Sequence, residues 1–386
     1  MVGATPSWQF IGKVHASHMT ELTGLEAFSQ AAVAPLAAWP ARHPGRQAMG
    51  YFCSYAPQEL MHAAGFTPVR LRGTGEPLRH ADAHLQSFSC ALCRSTLDRA
   101  VSGELDQALA GVVLAHTCDT MQALADLWRM HSADSHFVDT VMQPANLGTP
   151  AGRDYLVAEL GRFRGRLAAF AGRQLVDSDV QASIALYDER RRLVARLHGE
   201  RRRLSAAAFY AILDAAQAMP PEEFNPMLAD FLVRLAGAPP RAAGPRLFFA
   251  GAILDEPRLM ALVDELGAQV AGDDLCSGMR HFWGAVGDET YPLAALADYY
   301  LRRPPCPTKF HPAHDPGRHL VDQARRDAAG GIVFVLPKFC EPHAFDHALV
   351  LPTLEQAGLP YLVLEMEQVP SIEAIRTRLQ AFLEIL

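Results

Sequence analysis

The chain has 386 residues, is 49% apolar, carries a formal charge of −7 and scatters most of its basic residues. This composition describes a globular protein with room for two or three cores and argues against a nucleic-acid binder. There is no run of 18 apolar residues and no basic segment followed by an apolar core at the start, so neither a membrane span nor a signal peptide is expected, and the cytoplasm is the expected compartment.

Residues 1–45 carry little pattern and read as an arm, with a helix over 24–38 that Pro40 and Pro44 end. From 46 to 150 strands and helices alternate. Strands are expected at 48–55, 67–71, 111–115 and 136–142. Helices are expected at 58–64, between Pro57 and Gly65, and at 90–101 and 121–130. Residues 151–240 change character to four helical patterns, 155–171, 180–197, 205–218 and 222–236, and read as a helical insertion. Arg190–Arg192 and Arg201–Arg203 fall in this stretch and read as a solvated face. Alternation resumes over 241–386, with strands at 246–250, 269–271, 331–336 and 361–365 and helices at 257–266, 293–301, 319–329 and 345–357. The last helix carries Ile372, Ile375, Leu379, Phe382, Leu383 and Leu386 at helical spacing, a core-facing stripe. The expected fold is α/β: two open parallel-sheet units of flavodoxin or Rossmann type with a helical insertion.

The run 331–336 is short, apolar and rich in β-branched residues, as a strand buried on both faces must be, and Cys340 follows in the loop beyond it. Ligands in open α/β sheets collect outside the carboxyl ends of the strands. Seven cysteines occur, Cys53, Cys90, Cys93, Cys118, Cys276, Cys306 and Cys340. Any single one reads as a buried thiol. Four of them, Cys90, Cys118, Cys276 and Cys340, stand just after a strand or at a helix start, where the helix dipole favours the thiolate that soft metals and iron–sulfur clusters require. Cys90-Ala91-Leu92-Cys93 is a C-x-x-C without the second pair a zinc site needs. His80 and His84 read as surface histidines. Glu59 reads either as a favourable charge at a helix start or as a polar group facing the site. No G-x-S-x-G, P-loop or convincing dinucleotide fingerprint is present.

Several segments carry a resemblance: Gly50-Tyr51, Pro57-Gln58-Glu59-Leu60, Ala63-Ala64-Gly65, Cys90-Ala91-Leu92-Cys93-Arg94 and Thr117-Cys118-Asp119, then Asp273-Asp274-Leu275-Cys276-Ser277-Gly278-Met279-Arg280, Lys338-Phe339-Cys340-Glu341-Pro342 and the ending 376–384. In this order they resemble the D-component family of 2-hydroxyacyl-CoA dehydratases and ATP-dependent benzoyl-CoA reductases. The resemblance implies an iron–sulfur enzyme component holding a [4Fe-4S] cluster on Cys90, Cys118 and Cys340. It also implies an ATP-hydrolysing iron–sulfur activator as electron donor and a CoA thioester as substrate. Cys93 is not among the implied ligands. The double-cubane cluster branch of the family implies a second cubane on Cys53, Cys276 and Cys306, together an [8Fe-9S] cluster; a structural role for these three is the other reading. A non-catalytic electron-transfer or assembly protein, and a metal-free binding protein, are alternatives. The expected assembly is a homodimer or a heterodimer with a related subunit.

Overall fold

The computed structural model describes residues 24–386; of the expected arm at 1–45, residues 1–23 lie outside them. The first helix, α1 (Leu25–Val33), stops earlier than expected because Pro35 holds Ala34 in an extended conformation. It buries Phe28 against Phe224 and Phe231, with ring centroids 5.6 and 5.8 Å apart. A single-turn helix, α2 (Trp39–Arg42), leads into the first sheet.

That sheet contains β1 (Gln47–Tyr51), β2 (Phe66–Arg70), β3 (Leu109–His116) and β4 (Phe137–Met142), all parallel, in the order β2-β1-β3-β4. The second contains β5 (Arg246–Gly251), β6 (Gln269–Leu275), β7 (Gly331–Pro337) and β8 (Tyr361–Met366), all parallel, in the order β6-β5-β7-β8. The two sheets therefore repeat one topology, and each has its crossover between its first and third strands. A crevice at the strand ends of such a crossover is where open α/β sheets bind ligands.

Each sheet is apolar on both faces. In β5, Leu247 and Phe249 face one core while Phe248 and Ala250 face another, the two-residue period of a strand covered on both sides. Burying each phenylalanine contributes about 1.5–3 kcal/mol. The first sheet is covered on one side by α4 (Ala91–Val101) and α5 (Asp119–His131). On the other side lie α3 (Gln58–Ala63) and α6 (Pro150–Ala171). Helix α6 starts a turn earlier than the periodicity suggests, since Thr149 caps the Gly152 N–H at 3.1 Å and Pro150 occupies the first turn.

Helices α7 (Asp177–Gly199), α8 (Ala206–Ala216) and α9 (Pro221–Ala236) complete the helical stretch, and α8 and α9 pack on the second sheet with α10 (Arg258–Glu265). The remaining helices are α11 (Pro292–Arg302), α12 (Pro316–Arg326), α13 (Glu341–Ala357) and α14 (Ile372–Leu383). Helix α11 follows β6 in sequence but packs in the core of the first sheet. The chain thus returns to the first unit before it closes the second. In α14 the stripe is partly realised: Ile375, Leu379 and Phe382 are buried, while Leu386 is exposed.

The arginine clusters correct the sequence expectation. Arg190, Arg191 and Arg201 are buried rather than solvated. Arg190 donates to the carbonyls of Ala216 and Met219, and Arg191 bonds the carboxylates of Glu59 and Asp188. Arg201 lies over the Phe209 ring, 3.7 Å from Asp273. Burial pushes Arg201 and Asp273 towards their neutral forms despite this contact.

Candidate active site: two cysteine triads between the sheets

The carboxyl ends of the two sheets face each other and are tied together by hydrogen bonds. Gly73 N–H reaches Asp255 Oδ2 at 3.1 Å, Arg70 Nη1 reaches the Cys276 carbonyl at 2.7 Å, and Arg303 Nη1 reaches the Ser54 carbonyl at 2.5 Å. The loops after β1, β3, β6 and β7 all open onto this junction, and every cysteine of the chain lies on or near it.

Cys90, Cys118 and Cys340 are the N-cap residues of α4, α5 and α13. None of the three side chains makes a cap hydrogen bond, but the first-turn N–H groups of its own helix pull each thiol pKa down: Leu92 and Cys93 at Cys90, Met121 at Cys118, His343 at Cys340. Such N–H groups and the helix dipole favour a thiolate. Their effect differs among the three. Cys90 is brought down to about 7, first because the Cys93 thiol donates to it, against the opposing effect of burial. Burial prevails at Cys118 and Cys340, whose thiols are pushed up. The sequence expectation of lowered thiol pKa values at helix starts therefore holds for Cys90 alone of these three. Cys90 and Cys118 pack against the same core, and their charges add to the upward shift of Cys340, as the charge of Cys90 does to that of Cys118.

Cys53, Cys276 and Cys306 form a second group. Burial pushes the Cys53 thiol up and Cys276 adds to the shift; burial pushes Cys306 up to about 12, with Cys276 and Cys53 adding. Cys306 lies on a strap that leaves α11 and runs over the end of the first sheet. Leu147 N–H bonds the Phe310 carbonyl and Phe310 N–H bonds the Ala145 carbonyl, both at 2.8 Å. Lys309 Nζ donates to the carbonyls of His116 and Gln143, both at 3.2 Å, at the ends of β3 and β4. Cys306 N–H donates to the Tyr55 hydroxyl at 3.3 Å. Charge links the groups: Cys276 adds to the upward shift of Cys340 and Cys53 to that of Cys118, and His343 lies 3.3 Å from Cys340 Sγ and 3.9 Å from Cys276 Sγ.

Cys93 lies beneath the first group, 1% exposed, as a thiol donor to Cys90. His80 and His84 are exposed, as expected. Glu59 is fully buried; Oε1 pairs with Arg191 and Oε2 has no hydrogen-bond partner. Its neighbour Gln58 reaches His281 Nε2 at 3.2 Å, and the Tyr51 hydroxyl reaches the same nitrogen at 3.3 Å.

Three residues at the site were not singled out from the sequence. Asp274, at the end of β6, pairs with Arg280 through Oδ1 to Nε and Oδ2 to Nη2, both at 2.7 Å. Burial opposes ionisation of Asp274, and the Arg280 charge and hydrogen bonds overcome it, bringing the carboxyl to about 2. Arg280 Nη1 lies 3.6 Å from Cys276 Sγ and 3.4 Å from His343 Nε2. His343 Nδ1 lies 3.3 Å from Cys340 Sγ. Burial, followed by the Arg280 charge, holds His343 neutral, at about 3. A usable signal was present: a histidine three residues after a helix-capping cysteine points back at its sulfur.

Among the described residues no three His, Cys, Asp or Glu side chains converge as they would on a single metal ion. A cluster asks for a different arrangement, because each thiolate binds a different iron. Soft thiol donors in threes, on separate loops and sheltered from solvent, fit that requirement.

The sequence comparisons show the family. The model of the family described as 2-hydroxyglutaryl-CoA dehydratase, D-component, matches residues 53–386. The (R)-phenyllactyl-CoA dehydratase beta subunit of Clostridium sporogenes is 26% identical, over 89% of this chain and 92% of its own length. A benzoyl-CoA reductase subunit of Thauera aromatica is 28% identical, over 84% of this chain and 86% of its own. The lactoyl-CoA dehydratase subunit beta of Anaerotignum propionicum is 27% identical, over 89% and 92%. These relatives are enzyme components, and each is named as a subunit. Among the described residues no helix is long and apolar enough to cross a membrane. The chain belongs to the 2-hydroxyglutaryl-CoA dehydratase D-component family of enzyme components.

Proposed function

We propose that this chain is the iron–sulfur component of an acyl-CoA dehydratase or reductase. Its substrate class is a CoA thioester, for 2-hydroxyacyl dehydration or aromatic-ring reduction. The single observation that carries the reading is the grouping of six cysteines into two neighbouring threes at the facing ends of two like sheets. In this reading Cys90, Cys118 and Cys340 hold one [4Fe-4S] unit. Cys53, Cys276 and Cys306 hold a second, and the two joined form a double-cubane [8Fe-9S] centre. Such a centre supplies one-electron reduction at low potential. The protein's own part is to orient the sulfurs on three helix starts and one strap, to keep water from them, and to donate N–H groups to them. The electron comes from a separate ATP-hydrolysing iron–sulfur activator, since the sequence carries no P-loop. A homodimer or a heterodimer with a related subunit is the assembly that fits the naming of the relatives as subunits.

The test is turnover of a 2-hydroxyacyl-CoA or benzoyl-CoA by the anaerobic protein. Product is expected only with activator and ATP together, and ATP hydrolysis by this chain alone would contradict the reading. The alternative is electron transfer without substrate chemistry. Reduction of the iron centre without conversion of any CoA thioester would select this second reading.

A further inference from the structure

Asp274 holds Arg280 by two parallel bonds of 2.7 Å, and the Arg280 backbone carbonyl is itself fixed by Arg303 Nη2 at 2.6 Å. This leaves Nη1 facing the cysteines, 3.6 Å from Cys276 Sγ and 3.4 Å from His343 Nε2. A guanidinium has donors and no acceptor. His343 Nε2 must therefore accept from Arg280, and the neutral ring then carries its proton on Nδ1. Nδ1 lies 3.3 Å from Cys340 Sγ, so Nδ1–H donates to that sulfur. With Cys276 as a thiolate on iron, its 3.9 Å approach to Nε2 has no proton to share. One buried guanidinium thus serves both groups of cysteines, directly at Cys276 and through the imidazole at Cys340. Asp274, Arg280 and His343 are all buried, with 8%, 8% and 7% of their surfaces exposed, so water does not compete for these bonds.

We propose that Asp274, Arg280 and His343 form a hydrogen-bond relay that sets the reduction potential of the iron held by both cysteine triads. The proposal rests on the two-triad reading. Reduction adds one electron from a one-electron donor, and no covalent bond forms or breaks. The added negative charge spreads onto the cysteine sulfurs, where N–H donors stabilise it, and donors from a charged group are the stronger ones. Each bond of the relay therefore makes the centre easier to reduce. Arg280 and His343 are positioning residues in this account: they touch the sulfurs and not the reacting substrate.

The experiment is a redox titration of the anaerobically reconstituted protein, followed by electron paramagnetic resonance, with iron per chain counted first. H343F keeps a ring and removes the donor to Cys340; the equilibrium constant for reduction should fall about tenfold, or about 59 mV for one electron. R280K keeps the charge but not the fork, and should lower it further. In H343F/R280K the loss should fall clearly short of the product of the single losses, because the two residues act along one chain. An exchangeable proton coupled to the reduced centre, replaced in heavy water, should be present in the parent and absent in H343F. This measurement keeps the idea testable if R280K fails to take up iron. An H343F protein with full iron, an unchanged potential and the same exchangeable proton would overturn the relay, as would losses that multiply fully. Four irons per chain with the H343F shift intact would remove the two-triad reading and support the Cys340 arm of the relay. No iron at all would remove both.

Discussion

Cys90, Cys118 and Cys340 are mounted on the starts of three helices; Cys53, Cys276 and Cys306 are mounted on loops, one of them the strap that follows α11 and packs on the end of the first sheet. The first group draws its positions from regular structure, because each of its cysteines is the residue on which a helix begins. The second group draws its positions from side chains. Lys309, Tyr55 and Arg303 hold the strap and its surroundings, and burial pushes Cys53 and Cys306 well away from the thiolate. The contrast teaches that helix starts make a site that resists local change, while a site of loops depends on each anchoring contact.

The largest expected effects break the first group. Cys90→Ala, Cys118→Ala and Cys340→Ala should each remove most or all iron in anaerobic iron and sulfide analysis, since two thiolates hold a cubane poorly. Full iron and an unchanged spectrum in Cys90→Ala would undo the site assignment. Next come Cys53→Ala, Cys276→Ala and Cys306→Ala, each expected to remove about half of the iron, because two equal cubanes share it. Full iron per folded chain with a lowered melting temperature would make these three cysteines structural.

The strap sharpens the comparison. Lys309→Met removes two bonds to the strand-end carbonyls, a loss of about 1–3 kcal/mol. Iron release to a chelator should become biphasic, with about half leaving faster; a single unchanged phase would mean that Lys309 does not secure the second group. Acid sensitivity gives a smaller effect. Burial, followed by the charges of Arg70, Arg303, Arg191 and Arg190, holds His281 well below its usual pKa. As pH falls below about 6.5, the unfolded chain takes up a proton that the folded chain refuses, so stability falls with pH. In the iron-free protein His281→Gln should flatten part of that decline in denaturant midpoint between pH 7.5 and 5.5, and an unaltered slope would exclude His281 as a source. Smallest of all, Cys93→Ala should leave iron content as it is, because Cys93 donates to a ligand rather than acting as one.

The strands β5 and β7 were legible because apolar runs between breakers leave little choice of structure. Of β6 only the first part was legible. Asp273 and Asp274 look like loop residues, yet both lie in the strand: Asp274 is neutralised by Arg280, and Asp273 accepts the Leu275 and Met279 N–H groups at 3.3 and 2.7 Å. Gly278 makes this possible, since a Cβ there would collide with the Asp273 carboxylate. The buried arginines were illegible for the same reason: a charge reads as solvated until its partners, distant in sequence, are known. The cysteine loops could be placed at strand ends and helix starts from local pattern alone. The packing of Cys306 and Cys53 against one core could not, because it depends on a strap whose bonds join residues 145–147 to 310, distant in sequence.

The most direct measurement of the central claim is iron per chain after anaerobic reconstitution of the full-length protein. Two triads predict about eight irons, since each cubane holds four. About four would mean that only the helix-mounted cysteines bind a cluster, and a colourless protein without iron would contradict the account entirely.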